Sequence, residues 1–182
     1  MRNALNSPSH IVLVGPMGAG KSSIGRLLAA RLQHAFVDLD TCIEAETGAT
    51  ITSIFASEGE AGFRSRECRA LKGVLMKSEA SVIATGGGAV LGEASRRAMR
   101  DAGIVVYLQV EPALQMQRLQ GDGTRPLLAI DNPAQRLAEL QAMREPLYRE
   151  MADIALDTTC HSPESAAEAL AVLLAKATER CE

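Results

Sequence analysis

A glycine-rich loop between a strand and a helix is the feature that most restricts how this chain can fold. Residues 15–22 read GPMGAGKS and fit the pattern G-x-x-x-x-G-K-[ST]; they follow the apolar run 11–14 and precede the helix-forming stretch 24–32. Glycines let successive backbone N–H groups point at one anion, and the following helix adds the positive end of its dipole. A plain turn is the alternative, but this context favours a nucleoside triphosphate site, with Lys21 at the outer phosphates and the Ser22 hydroxyl on Mg²⁺.

Length, composition and charge exclude several classes of protein. The 182 residues suit one domain, which we expect to span 1–182 with its core at about 11–176. Aromatic residues make up 3% and Trp is absent, so we expect an aliphatic core. A net charge of -3, with no run of Lys or Arg, argues against a nucleic-acid partner. No apolar run approaches the ~20 residues that cross a bilayer, and residues 1–10 lack a signal-peptide core, so we expect no membrane partner and a cytoplasmic location.

The cysteines and histidines do not form a metal-binding pattern. Cys42, Cys68, Cys160 and Cys181 contain no C-x-x-C pair, and the three histidines are dispersed along the chain. We therefore expect reduced thiols and no metal site built from these residue types.

Short apolar runs alternate with longer stretches of helical period, which predicts an α/β fold. The predicted strands are 11–14, 35–38, 81–85, 104–108 and 153–156. The predicted helices are 22–32, 60–77, 93–101, 112–120, 133–150 and 163–176, with two short helical pieces around Gly48 in 41–59. Strands separated by helices imply a five-stranded parallel sheet with helices on both faces. Together with the phosphate loop, this pattern predicts a P-loop kinase architecture, whose ligands bind beyond the carboxyl ends of the strands.

Polar and glycine-rich segments follow these strands. Asp38 and Asp40 end the second strand, and they lie near the phosphate loop if strands one and two flank the cleft. One could hold water around Mg²⁺ and the other could orient a hydroxyl, although a helix cap is the simpler interpretation. Residues 86–88 are all glycine, which indicates close approach of a ligand or a flexible turn. Arg64 and Arg144 occur in largely apolar segments that flank the same cleft.

From residue 11 to the last helix, the chain resembles shikimate kinases. The order and spacing of several short motifs carry this resemblance. They are Asp38-Leu39-Asp40 with Ile43 and Gly48, Ile54-Phe55, Gly59-Glu60, Phe63-Arg64, Glu67, Gly86-Gly87-Gly88, Arg125-Pro126-Leu127, and Arg144 with Tyr148.

The resemblance implies a nucleotide half of the site. ATP would bind with Mg²⁺ as cofactor, which Ser22 would ligate directly and Asp38 through water. Arg125 would lie on a mobile lid over about 121–132 and contact the transferring phosphoryl group. Arg118 and the loop 159–163 would contact the adenine. The residues expected to bind ATP are Gly15, Met17, Gly18, Ala19, Gly20, Lys21, Ser22, Ser23, Arg118, Arg125 and His161.

The resemblance also implies an acceptor half, in a region of about 40–73 and beyond. Arg64 and Arg144 would bind the carboxylate of shikimate, and Glu67 would orient Arg64. The turn of Gly86, Gly87 and Gly88 would contact the ring. Asp40 would act on the attacking hydroxyl. With Lys21 and Arg125 on the phosphate side, it completes the set of expected catalytic residues. The implied reaction is ATP-dependent phosphorylation of the 3-hydroxyl to shikimate 3-phosphate, in the pathway to chorismate and aromatic amino acids, by a monomer.

Three alternatives remain on the sequence alone. Gluconate kinase or adenylate kinase would share the architecture, and gluconate also offers a carboxylate and hydroxyls. A nucleotide-binding module without catalysis would be expected to lose the acid or the arginines, which are all present here. A GTPase would be expected to carry N-K-x-D, which the chain lacks.

Overall fold

A computed structural model of the protein describes residues 10–120 and 132–179. Arg125 and Cys181 lie outside the described residues, as does the predicted lid except for Asn132. Cys42, Cys68 and Cys160 are free thiols, as expected. Within the described ranges, no helix combines the length and the apolar character needed to span a bilayer.

The five predicted strands form one parallel sheet. They are β1 (His10–Val14), β2 (Ala35–Asp38), β3 (Ser81–Ala84), β4 (Gly103–Gln109) and β5 (Ile154–Asp157), in the spatial order β2-β3-β1-β4-β5. Ile83 of β3 lies opposite Val12 of β1 on one side and Val37 of β2 on the other. β3 therefore lies between β1 and β2, a strand order that the sequence patterns did not predict.

The helices confirm the predicted alternation. They are α1 (Lys21–Leu32), α2 (Leu39–Thr47), α3 (Ile51–Leu75), α4 (Glu93–Ala102), α5 (Pro112–Leu119), α6 (Pro133–Met151) and α7 (Pro163–Glu179). Most ends agree with the prediction within one to three residues. The main difference is α3, which begins at Ile51 and is interrupted at Gly59, where φ is 68°. Only glycine readily adopts that backbone conformation, which explains why the helix is interrupted there. The predicted helix 60–77 corresponds to the part of α3 that follows Gly59.

Helices cover both faces of the sheet, because successive residues of each strand point to opposite sides. Val12 and Val14 pack into one cluster with residues of α2, α3 and α6, whereas Ile11 and Leu13 pack into another with α1 and α7. Most of the core is aliphatic, as expected. The aromatic exceptions are Phe63, Tyr107 and Tyr148, and the ring of Tyr107 on β4 stacks on that of Tyr148 on α6 at 5.1 Å between centroids.

We predict that Gly25→Ala destabilises the protein by about 1–3 kcal/mol, because the new methyl group would overpack the interface between α1 and the sheet. A Cβ on Gly25 would lie 2.8 Å from Phe36 Cε2 and 2.9 Å from Leu13 Cδ1. The matched control is Gly73→Ala in α3, where a Cβ would meet nothing within 4 Å. That variant should gain ~0.5–1 kcal/mol from helix propensity. Urea unfolding measures both, and equal effects would contradict the packing argument.

Candidate active site

The loop 15–22 curls around its own lysine at the carboxyl end of β1. Lys21 Nζ donates to the carbonyl oxygens of Gly15 and Pro16, at 2.8 Å each. Gly18 and Gly20 have φ of 75° and 90°, which suits glycine, and Gly20 is the N-cap of α1. The amino end of α1 therefore faces the cleft, where its dipole favours an anion.

Polar residues from the other side of the sheet hold this loop by its carbonyl groups. Gln115 Nε2 donates to Met17 O at 2.9 Å, and Arg118 Nη1 donates to Gly18 O at 3.0 Å. The hydroxyl of Thr158 lies between Gln109 O at 2.8 Å and Ala19 O at 3.3 Å, and both Gln115 and Thr158 are buried. Sequence analysis missed Gln115 and Thr158 and linked Arg118 only to adenine. These contacts fix the loop's carbonyls away from the anion site.

The two aspartates after β2 lie beside the loop. Ser22 Oγ donates to Asp38 Oδ2 at 2.6 Å. Asp38 Oδ1 accepts the backbone N–H groups of Asp40 at 3.1 Å and Thr41 at 3.4 Å, so Asp38 is also the N-cap of α2. Both interpretations of this aspartate, helix cap and neighbour of the phosphate loop, are therefore correct. Asp40 lies in the first turn of α2.

Two adjoining cavities, of about 410 and about 420 Å³, form the cleft. They share six residues: Met17, Ser22, Asp38, Asp40, Gly86 and Gly87. The first cavity, on the loop side, is also lined by Gly18, Gly20, Lys21, Ser23, Arg118, Thr158 and His161. The second, which we call the acceptor cavity, is also lined by Thr41, Phe55, Phe63, Arg64, Glu67, Gly88 and Arg144. The structure thus brings together the predicted site residues that it describes, except that Gly15 and Ala19 of the loop line neither cavity.

Arg64 is held by two carboxylates of its own helix. Its Nη1 donates to Glu67 Oε2 at 2.8 Å, while Nη2 and Nε donate to Glu60 Oε1 at 3.0 and 3.3 Å. The guanidinium rests on Gly88, where an added Cβ would overlap it. The third glycine of the 86–88 turn therefore makes room for the guanidinium of Arg64.

Burial and neighbouring charges shift the pKa values of the charged side chains that line this cavity. Burial raises the pKa of Glu67 and outweighs the attraction of Arg64. Burial opposes the charge of Arg64, but Glu67 and Glu60 together raise its pKa. Burial lowers the pKa of Arg144, and the positive charge of Arg64 adds to that effect. The acceptor cavity therefore holds two guanidinium groups whose positive charges repel each other.

Arg144 has bonding capacity that its neighbours do not use. Its side chain is 4% exposed, and Nε has no hydrogen-bond partner among residues 10–120 and 132–179. A buried donor without a partner costs about 1–3 kcal/mol, so an acceptor group entering the cavity would be favoured there. His161 also carries a buried ring nitrogen, Nδ1, that has no partner within the same ranges.

The donor set at Ser22 and Asp38 fits Mg²⁺. Magnesium takes oxygen ligands, keeps several waters and needs only one or two protein carboxylates beside substrate phosphates. A hydroxyl and a carboxylate oxygen 2.6 Å apart at the phosphate loop match that requirement. In the described part of the chain, no group of three or more His, Cys, Asp or Glu residues could hold a metal by itself.

Comparisons with known proteins identify the family. A family model described as shikimate kinase matches residues 17–174. The shikimate kinase of Methylococcus capsulatus is 49% identical over 166 residues, covering 91% of this chain and 90% of the relative. The chain belongs to the shikimate kinase family. The shikimate kinase of Chromohalobacter salexigens is 53% identical over 155 residues, covering 85% of this chain and 86% of the relative.

Solved shikimate kinases share this fold closely. The enzyme from Acinetobacter baumannii in complex with shikimate has a TM-score of 0.90 at 45% identity, covering 92% of this chain and 93% of that one. The enzyme from Aquifex aeolicus has a TM-score of 0.81 at 30% identity, covering 93% and 98%. The predicted family and the five-stranded kinase architecture are confirmed. The predicted reaction, phosphorylation of the 3-hydroxyl of shikimate by ATP, is confirmed with the family.

We predict that wild type loses stability relative to Glu67→Gln as pH rises above 4.5, the ordinary pKa of a glutamate. Because burial raises the pKa of Glu67, the folded chain holds this proton more tightly than the unfolded chain, and ionisation then favours unfolding. Urea unfolding between about pH 4 and pH 7 measures the difference.

The matched control is Glu58→Gln on the same helix. The hydrogen bond from Arg66 lowers the pKa of Glu58, so there the wild type should gain on the variant as pH rises. If the two differences have the same sign of slope, burial does not govern the ionisation of Glu67.

Proposed function

We propose that the chain binds ATP with Mg²⁺ at the loop 15–22 and shikimate in the acceptor cavity. The observation that carries this proposal is the pair Arg64 and Arg144, two guanidiniums in one cavity that opens directly onto the phosphate loop. On the family's precedent, we propose one domain over 1–182, acting as a monomer in the cytoplasm.

On the nucleotide side, the loop's amides would bind the phosphates. We propose this for Gly15, Met17, Gly18, Ala19, Gly20 and Ser23, with the Lys21 ammonium moving from its carbonyl partners to the phosphate oxygens. Ser22 would ligate Mg²⁺, with Asp38 reaching it through water; the bound ion would neutralise charge on the phosphates. Arg118 and His161, which line the same cavity, would lie near the adenine.

The proposed role of Arg125 rests on the resemblance alone, since this residue lies outside the described ranges. It would contact the transferring phosphoryl group from the lid. There its positive charge would stabilise the charge that develops on the phosphoryl oxygens during transfer.

On the acceptor side, the two arginines would bind the carboxylate. A guanidinium matches a carboxylate with two parallel hydrogen bonds, and the negative charge would separate two cations that repel each other. The unpartnered Nε of Arg144 supports this role. Glu67 would keep Arg64 in place through the 2.8 Å contact at Nη1, and the backbone of Gly86, Gly87 and Gly88 would line the ring.

Asp40 would act where the two substrates meet. It lines both cavities, on the shared boundary with Ser22 and Gly86. A Cβ on Gly86 would lie 3.2 Å from Asp40 Oδ1, so the carboxylate lies against the glycine turn. From this position Asp40 would accept or orient the proton of the 3-hydroxyl as that oxygen attacks the γ-phosphorus in line. Catalysis would otherwise consist of positioning and charge neutralisation.

We predict that Arg64→Lys lowers kcat/KM for shikimate by an amount equivalent to roughly 2–4 kcal/mol, because an ammonium cannot make two parallel hydrogen bonds to a carboxylate. A coupled assay of ADP release with and without shikimate measures this, with gluconate as the comparison acceptor. Arg66→Lys is the matched control, since Arg66 lies on the same helix and pairs with Glu58 outside the cavity. An unchanged kcat/KM in Arg64→Lys would exclude the carboxylate contact, whereas equal turnover with gluconate would contradict shikimate as the acceptor.

We predict that Asp40→Asn lowers kcat by about 10²–10⁴ while the affinity for ATP stays close to that of wild type, because the amide keeps the shape but cannot take the proton. Stopped-flow turnover and equilibrium binding of ATP measure the two quantities. Asp101→Asn, at the exposed end of α4, is the control. Wild-type turnover in Asp40→Asn would remove this residue from the proton transfer.

A further inference from the structure

Tyr148 is a buried polar residue beside the acceptor cavity. It lies on α6 one turn after Arg144, so both side chains are on the same face of the helix. Tyr148 is 1% exposed, and its ring stacks on Tyr107 of β4 at 5.1 Å with an interplanar angle of 26°. The stack leaves the ring of Tyr148 little freedom to turn, so its hydroxyl has a defined position.

That hydroxyl contacts two elements that meet the cavity from different sides. Its O–H donates to the carbonyl oxygen of Gly87 at 2.5 Å, in the turn after β3. Burial lowers the pKa of the neighbouring Arg144, and the Tyr148 hydroxyl opposes that shift. A Cβ on Gly87 would lie 3.6 Å from both Tyr148 Oη and Arg144 Nη1, so both side chains border this glycine.

Gly87 depends on this contact more than its neighbours do. The carbonyl of Gly86 accepts from Ala89 N and that of Gly88 from Leu91 N, both within the turn itself. The carbonyl of Gly87 instead bonds to Tyr148, 61 residues away. A glycine has a wide choice of backbone conformations, so loss of this bond would free the peptide that follows it. Burial raises the pKa of Tyr148, so the hydroxyl keeps its proton and remains a donor at neutral pH.

We infer that Tyr148 is a positioning residue for the acceptor: its hydroxyl fixes the Gly87 peptide and the Arg144 guanidinium relative to each other. An acceptor whose carboxylate contacts Arg144 and whose ring contacts Gly87 then meets a prearranged site instead of having to order it. This inference rests on the assignment of Gly87 and Arg144 to shikimate in the proposed function.

The test compares Tyr148→Phe with Tyr107→Phe. Both changes remove one hydroxyl and keep the ring, the stack and the core volume, but only the first removes the contacts with Gly87 and Arg144. We expect Tyr148→Phe to raise KM for shikimate about tenfold, the effect of one lost buried hydrogen bond, and to change KM for ATP by less than about twofold. Tyr107→Phe should change both by less than about twofold, and thermal unfolding measures any shared loss of stability.

A double-mutant cycle with Arg144→Lys tests the route of the effect. If Tyr148 acts through Arg144, Tyr148→Phe should add less than about threefold to KM for shikimate in the Lys background. An undiminished tenfold rise there, or equal values for the two tyrosine variants in the wild-type background, would overturn the inference. If Arg144→Lys alone leaves KM for shikimate unchanged, the assignment of Arg144 and this inference both fail. If it raises KM while Tyr148→Phe does not, only the inference fails.

Discussion

The 2.6 Å hydrogen bond from Ser22 to Asp38 is the contact that joins the two halves of the cleft. Ser22 follows β1 and Asp38 ends β2, yet β3 lies between these strands, so the bond reaches across the end of a third strand. The glycine turn after β3 is thereby enclosed between the phosphate loop and the start of α2. Because the other oxygen of Asp38 caps α2, the position of Asp40 in the first turn of that helix is tied to the phosphate loop. The two carboxylate oxygens of Asp38 therefore tie the start of α2 to the phosphate loop and fix the spacing between the two cavities.

The parts of the site that could be predicted from sequence are formed by residues close together in the chain. The parts that could not be predicted join residues that are far apart in the chain. The phosphate loop is one continuous segment and the two aspartates are two positions apart, so spacing alone indicates the chemistry of each. Arg64 and Arg144 are far apart in sequence; the predicted topology placed both beside one cleft, but their shared role on a carboxylate followed only from the resemblance to a family. The residues that brace the site are more distant still: Gln115 bonds to a residue 98 positions away and Thr158 to one 139 positions away. A single buried glutamine or threonine has no periodicity that would single it out.

The fold itself was predictable because each strand is a short apolar run and each helix has its own ends. Asp38 and Gly48 bound α2, Pro112 and Pro163 begin their helices, and these signals lie within one turn of the elements they define. Strand order has no such local signal, and the sequence patterns predicted no order for the five strands. Placing β3 between β1 and β2 depends on how the α1 and α3 crossovers cover opposite faces, which is a property of the whole sheet.

The two arginines of the acceptor cavity are not equivalent, and the difference follows from their neighbours. Three of the nitrogens of Arg64 already donate to Glu60 and Glu67, which keep it charged and in place but leave few donors free. Arg144 faces the opposite condition, since its charge is disfavoured by burial and by Arg64, and its Nε lacks a partner in the part of the chain that the structure describes. An entering carboxylate therefore relieves more unfavourable energy at Arg144 than at Arg64. Arg144 of α6 therefore has the greater need of an anion, while Arg64 of α3, already held by Glu60 and Glu67, offers its two remaining N–H groups in a fixed orientation.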